Sequence, residues 1–269
     1  MSQSHELQLH ITKLEEIRSI LNSMKNLALI EVHKLARFQT LQSQAVAVIE
    51  QVAADLLDFY PHLAIASDNA RSICLLIGAE RGFCGDFNEN VIDANDEQTT
   101  AEIIAIGGRL GNKLVENEAT QVIAGANVAE EVPIIVNRLI ESIAPGQQPG
   151  IRLTAIYHDS ITNQIARRQL LPPLPRQTAQ TPRYPHPPVL NLAPDVFFSE
   201  LLSHYLFAVL HEILYISLTA ENHRRLQHLE GAVKHLDDET VTLKRKSQIY
   251  RQEEITEEIE VILLNAENL

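Results

Sequence analysis

Cysteine is scarce in this chain of 269 residues: the two present, Cys74 and Cys84, cannot build a disulfide framework and do not make a paired CxxC zinc pattern, which suits a reducing compartment. Positive charge is scarce too. Lys and Arg number 22 against 35 Asp and Glu, for a formal net charge of −13, and no local basic block offsets it, so phosphate backbones are repelled and no nucleic acid partner is expected. No secretion signal precedes the first charged residue, Glu6. The longest apolar stretch, Tyr205 to Leu218, carries His211 and Glu212 and falls short of the ~30 Å hydrocarbon layer as a helix. No direct membrane insertion is predicted, and membrane association must then go through another protein. What remains, 45% hydrophobic and 21% charged residues, is enough to bury a core as one large or two small domains.

Helix breakers are missing from both ends. Glycine costs backbone entropy in a helix and proline removes a hydrogen bond. All twelve prolines lie between Pro61 and Pro194, and nine of the ten glycines between Gly78 and Gly150. The chain therefore reads as a helix over 1–60, a mixed domain over 61–194 and a helix over 195–269 broken only by Gly231. In the first segment Leu7, Ile11, Leu14, Ile17, Leu21, Met24, Ala28, Val32, Leu35, Phe38, Ala45, Ile49, Val52, Leu56 and Phe59 recur at steps that predict one apolar stripe. At 1.5 Å per residue such a helix is a rod of roughly 75 Å, which must protrude or find a partner. The last segment offers the partner: Leu202, Leu206, Val209, Ile213 and Ile216, then Leu226, Leu229, Val233, Leu236, Thr240, Leu243, Ser247 and Tyr250 trace a heptad seam. An antiparallel coiled coil between the two chain ends is the simplest pairing.

The middle alternates short apolar runs with helical stretches. Ser72–Gly78, Glu102–Gly107 and Ile151–His158 read as strands, Arg109–Glu116 and Val132–Ile143 as helices, and Ile161–Leu171 as an edge strand. Alternation of this kind predicts a βαβ layered sheet with parallel strands. The segment 171–194 holds most of the prolines and predicts extended structure without a ladder.

Candidate chemistry is thin. The turn Gly78-Ala79-Glu80-Arg81-Gly82-Phe83-Cys84-Gly85 follows a strand, where a nucleotide enzyme would aim backbone N–H groups at a phosphate, but neither GxGxxG nor GxxxxGK[ST] is present, and Glu80 and Asp86 would set negative charge beside that phosphate. His211-Glu212 opens an HExxH-like string in which Tyr215 replaces the second His, and the other histidines lack i, i+4 spacing, so no metal and no cofactor are expected. Cys84 has Arg81 nearby but no histidine to act as a base, and reads as a packing residue.

Three stretches carry a resemblance. Glu80-Arg81-Gly82-Phe83-Cys84-Gly85-Asp86-Phe87-Asn88-Glu89-Asn90 is similar to the acidic-Arg-Gly-Leu-Cys-Gly-Gly-Leu-Asn-x-Asn signature of the gamma subunit, the central rotor stalk, of rotary F-type ATP synthases, with Asp86 in place of a glycine. Arg251-Gln252-Glu253-Glu254-Ile255-Thr256-Glu257-Glu258-Ile259 resembles that family's Arg-Gln-x-x-Ile-Thr-x-Glu-Leu ending, and Ser23-Met24-Lys25-Asn26-Leu27-Ala28 resembles its Ala-Met-Lys-Met-Val-Ala. The resemblance spans nearly the whole chain.

It implies an α/β protein: a long antiparallel coiled coil of the N- and C-terminal helices plus a Rossmann-like βαβ central domain. It also implies a non-catalytic rotor shaft inside a ring of three alpha and three beta subunits, resting with the epsilon subunit on a membrane c-ring. The chain would then be a peripheral membrane protein on the cytoplasmic face of a bacterial inner membrane. The matched positions imply rotor-to-ring contacts at Met24, Lys25, Arg251, Gln252, Thr256 and Glu258, a base-domain motif at Arg81, Gly82, Cys84, Gly85 and Asn88, and a c-ring foot at Tyr184 and Pro185, where His186 and Pro187 break the family's Tyr-x-Phe-Glu-Pro pattern. An ordinary seam role for Met24 is the competing expectation. The family's Met-Lys-Asn-Ala-Thr-Asp-Asn-Ala run is replaced by Leu229-Glu230-Gly231-Ala232-Val233-Lys234-His235-Leu236. Such drift fits a divergent member, from an alternative sodium-linked complex or from a coiled-coil scaffold that kept the fold and lost coupling. A nucleotide enzyme rests on the strand-glycine turn alone.

Overall fold

The computed structural model describes residues 3–64, 71–95, 101–114, 121–143, 150–172 and 184–267. The elements are α1 (Gln3–Leu57), β1 (Arg71–Ile77), α2 (Phe87–Asp93), β2 (Glu102–Ile106), α3 (Gly108–Gly111), β3 (Gln121–Ile123), α4 (Val132–Ile143), β4 (Ile151–His158), β5 (Ile165–Leu171) and α5 (Pro194–Glu267). Most of the proline-rich run, 173–183, lies outside the described residues. The chain forms two compact units, one of residues 1–28 with 226–269, the other of residues 29–225.

In the first unit the two helices pair antiparallel. Lys244 Nζ sits 2.6 Å from Glu15 Oε1, Arg18 pairs with Asp237, and Lys25 Nζ lies 4.0 Å from Glu230 Oε1, so positions rising along α1 meet positions falling along α5. Leu21, Leu229 and Val233 form a buried cluster, with Met24, Ala232 and Leu236 packed against it. The heptad seam predicted on α5 is the less exposed face from Leu226 to Ser247; Tyr250 at its end is exposed. On α1 the stripe needs correction. Ile17 is 46% exposed, and the heptad position between Leu14 and Leu21 belongs to Arg18, whose guanidinium reaches across to Asp237. A 3.5-residue repeat drifts away from a stripe counted by apolar residues wherever a charge holds the seam.

The second unit is a sheet flanked on both faces. Strand order is β3-β2-β1-β4-β5, parallel throughout except for β5, which runs antiparallel at the edge. Alternate residues face opposite ways. Ile73, Leu75 and Ile77 of β1 join Leu153, Ala155 and Tyr157 of β4 in the main core with α4 and with Leu35, Val46, Val209 and Ile213 of the long helices, while Cys74, Leu76 and Ile156 face Val91 of α2 and Leu110 of α3. A strand covered on both faces reads as an unbroken apolar run, as Ser72–Gly78 does. Here too the α1 stripe shifts: Val46 and Ala53 are buried, whereas Ala45 is exposed and Val52 38% exposed; Leu56 is buried where the stripe puts it. Phe38 is 40% exposed yet stacks on Tyr215 with ring centroids 5.5 Å apart. The helix predicted over Arg109–Glu116 is shorter, ending at Gly111, and β3 is a strand of three residues that the sequence pattern does not reveal.

One window of 18 residues in α5 has a mean hydropathy of 1.5, apolar enough to span a membrane by composition, but 67% of it is buried inside the protein. Burial, not shortness, accounts for the apolar stretch around Tyr205–Leu218.

Candidate functional site

The loop after β1 is held from two sides. Gly78 sits where an added Cβ would lie 2.5 Å from Asn88 Oδ1 and 2.6 Å from Leu110 Cβ, so only glycine lets β1 pass into the loop this close to α3. The buried Asn88 side chain then accepts a hydrogen bond from the Ala79 N–H at 2.8 Å. Glu80 turns into the crevice beyond the strand ends. Its Oε2 accepts from the N–H of Gly108 and the N–H of Gly125, each at 2.7 Å, so the backbone donors that a nucleotide-binding loop would aim at a phosphate are already occupied by a side chain of the same chain. Gly107, at φ +116°, lies so close to the Gly78 and Ala79 carbonyls that a Cβ would meet them at 2.8 and 2.9 Å.

Beyond Glu80 the chain curls through left-handed conformations at Phe83 (φ 66°) and Gly85 (φ 61°), and α5 clamps it. Glu221 is buried, with its carboxylate facing the loop backbone at Glu80 and Arg81, and Arg225, one turn on, pairs with it. Arg225 also donates to Asn222 Oδ1 at 2.9 Å and to the Gly82 carbonyl at 3.3 Å, and its Nη2 lies 3.6 Å from Cys84 Sγ. Burial pushes the Glu221 carboxyl above its ordinary value, opposed chiefly by the charge of Arg225. Cys84 packs with Ala79, Phe87 and Ala220, and burial, with Glu221 beside it, pushes its thiol up to about 12. A thiol so held is an inert packing group rather than a nucleophile. Asp86 is exposed, and its carboxyl is held below the usual range by the Asn90 side chain. On the other side of Phe87, His158 stacks on the ring at 3.7 Å and its Nε2 lies 2.7 Å from the Phe87 carbonyl oxygen; burial lowers its pKa and keeps the imidazole neutral.

The five motif residues thus come together: Asn88 and Cys84 inside, Gly82 and Gly85 shaping the loop, Arg81 exposed on its rim. Sequence reasoning missed Glu221 and Arg225, although two opposite charges at i, i+4 just beyond the apolar run of α5 are the signal that could have found them. The remaining candidates lie apart. Met24 is half-buried in the seam and Lys25 faces Glu230, both in the first unit. Arg251, Gln252, Thr256 and Glu258 are exposed near the end of α5, with the Thr256 hydroxyl donating to the Gln252 carbonyl at 2.8 Å. In the second unit Tyr184 and Pro185 line an apolar cavity of about 480 Å³ with Leu56, Phe59 and Phe197. Among the described residues no group of three His, Cys, Asp or Glu is placed to hold a metal.

The second unit holds a loop locked by internal carboxylates, and the first unit is a pair of helices joined along a heptad seam. A family model described as ATP synthase matches residues 3–269. The chain belongs to the ATP synthase gamma family. Curated gamma chains from Clostridium beijerinckii (24% identical over 96% of this chain and 95% of that one) and Paramagnetospirillum magneticum (23% identical over the full length of both) are divergent relatives. The fold resembles a chain in the rotor of the Euglena gracilis mitochondrial ATP synthase, with a TM-score of 0.66 at 13% identity over 94% of this chain and 98% of that one. A second Euglena structure, of the OSCP/F1/c-ring, matches with a TM-score of 0.64 at 14% identity over 98% and 93%. In the sheet unit of this chain, the loop that follows β1 is clasped by Asn88, Glu80, Glu221 and Arg225.

Proposed function

We propose that this chain is the non-catalytic central rotor shaft of a bacterial F-type ATP synthase, coupling proton or sodium transport through a c-ring to ATP synthesis or hydrolysis on three alpha and three beta subunits. The helical ends, 1–60 and 195–269, serve as the shaft, and residues 61–194 serve as the base, which sits with the epsilon subunit on the c-ring. The protein is then peripheral, on the cytoplasmic face of the inner membrane. The observation that carries this reading is the antiparallel seam of the first unit, with Leu21 against Leu229 and Val233 and with charge pairs on its flanks, in a chain matched end to end by the family model. Coupling by rotation needs contact free energies that differ with angle. Arg251, Gln252, Thr256 and Glu258, exposed on α5, supply hydrogen bonds and charge to the ring, with Arg251 forking to a partner carboxylate. Lys25 and the half-buried Met24 contribute from α1, and Tyr184 and Pro185 from the foot.

Arg251→Ala tests the reading. An exposed helix position contributes within about 0.5 kcal/mol to stability, so the isolated chain stays as stable as wild type while ion pumping per ATP by the assembled complex falls. Unchanged pumping and hydrolysis in an assembled Arg251→Ala complex would contradict it.

A further inference from the structure

One guanidinium in the sheet unit touches both long helices at once. Arg168 on β5 donates from Nη1 to Glu212 Oε2 on α5 at 2.7 Å and from Nη2 to Glu50 Oε1 on α1 at 2.8 Å. Tyr157 on β4 and Tyr205 on α5 lie beside the same guanidinium. The Glu212 side chain is 9% exposed, Arg168 28% and Glu50 30%, so the cluster lies largely under the surface where the edge of the sheet meets the helices.

We propose that Arg168 is a positioning residue that pins the helix pair to the sheet against sliding, so that torque passing between them is transmitted rather than lost; this rests on the rotor reading above. The surrounding contacts of Val209, Ile213, Leu153 and Tyr157 are mostly apolar. Apolar burial is non-directional: it resists separation of two surfaces but opposes shear weakly, and shear between packed helices is a common low-cost motion. A planar guanidinium forked to two carboxylates on different helices has fixed angles, and sliding either helix breaks a charge-assisted bond. Among the described residues no other ion pair joins the same three parts. Lys34 links α1 to Glu130 at an exposed site, and Glu221–Arg225 lies within α5.

The test uses the complete complex in sealed vesicles, with ATP hydrolysis and ion pumping measured with and without an opposing ion gradient. Arg168→Lys keeps the charge and loses the fork. Glu50→Gln, Arg168→Met and Glu212→Gln together remove all three charges and leave none buried alone. Both variants are expected to assemble with wild-type subunit stoichiometry and to pump normally without a gradient, while ions pumped per ATP against the gradient fall about three- to tenfold, the range of a broken coupling contact. Wild-type pumping under load in both variants would overturn the pin, and so would an equal loss with and without the gradient, which marks a merely structural role. A wild-type complex that assembles but never pumps overturns the rotor reading itself, which separates the two failures.

Discussion

Replacing Arg225 by Met should destabilise the sheet unit in a way that depends on pH and on one partner. The substitution keeps the volume of the side-chain stem but strands Glu221, which is buried under the loop of residues 80–82. Breaking one side of a buried ion pair costs about 3–5 kcal/mol; at about 2 °C per kcal/mol for a protein of this size, the melting temperature should drop by about 6–10 °C at pH 7. Burial already raises the Glu221 carboxyl, and Arg225 is the main opposing cause, so its removal raises that carboxyl further. An acid whose folded pKa is raised binds more protons folded than unfolded, so its penalty is absent below the unfolded value and grows as pH rises through the raised one. The cost of Arg225→Met should therefore shrink at pH 5. Glu221→Gln added to Arg225→Met should recover most of the loss at pH 7, because a neutral amide leaves no stranded charge. Differential scanning calorimetry of wild type, both single variants and the double variant at the two pH values decides it. A loss equal at pH 5 and 7, and unchanged by Glu221→Gln, would refute the reasoning.

Three further outcomes follow from the same geometry. Glu80→Ala removes two charge-assisted hydrogen bonds at a partly exposed site and should cost about 2–4 kcal/mol, with the Gly108 and Gly125 amides losing hydrogen-exchange protection; retained protection would contradict the clasp. Cys84 and Cys74, buried and pushed up to about 12 and about 11, should resist a thiol reagent at pH 8 until the chain is unfolded, and rapid labelling of the native protein would count against that. Leu21→Ala should lower stability by about 2–5 kcal/mol and Ile17→Ala by about 0.5 kcal/mol or less, measured by urea unfolding; equal costs would mean that the seam is not the one Arg18 marks.

Local pattern made much of this fold readable. The breaker-free ends are helices, α4 and β4 fall on the predicted residues, and Ile161–Leu171 contains the antiparallel edge strand β5. The misses share a cause. Gln121–Ile123 is a strand because β2 offers it a free edge, which three residues cannot announce. Arg18 holds a seam position because Asp237 stands opposite, 219 residues away. The same distance in sequence hides Arg168, Glu50 and Glu212, each of which reads alone as a charge interrupting an apolar pattern. The motif itself was legible as a glycine turn unfit for phosphate. Its reason was not, because Glu80, Glu221 and Arg225 act on loop backbone that only the folded sheet brings near.

The most direct test of the central claim is single-molecule rotation. With alpha and beta subunits fixed to a surface and a probe attached through Ile161→Cys, an 82% exposed position in the sheet unit, ATP should drive stepwise rotation of the probe in one direction. Hydrolysis that proceeds at the same rate with or without this chain, while the probe stays still or moves without direction, would contradict the account.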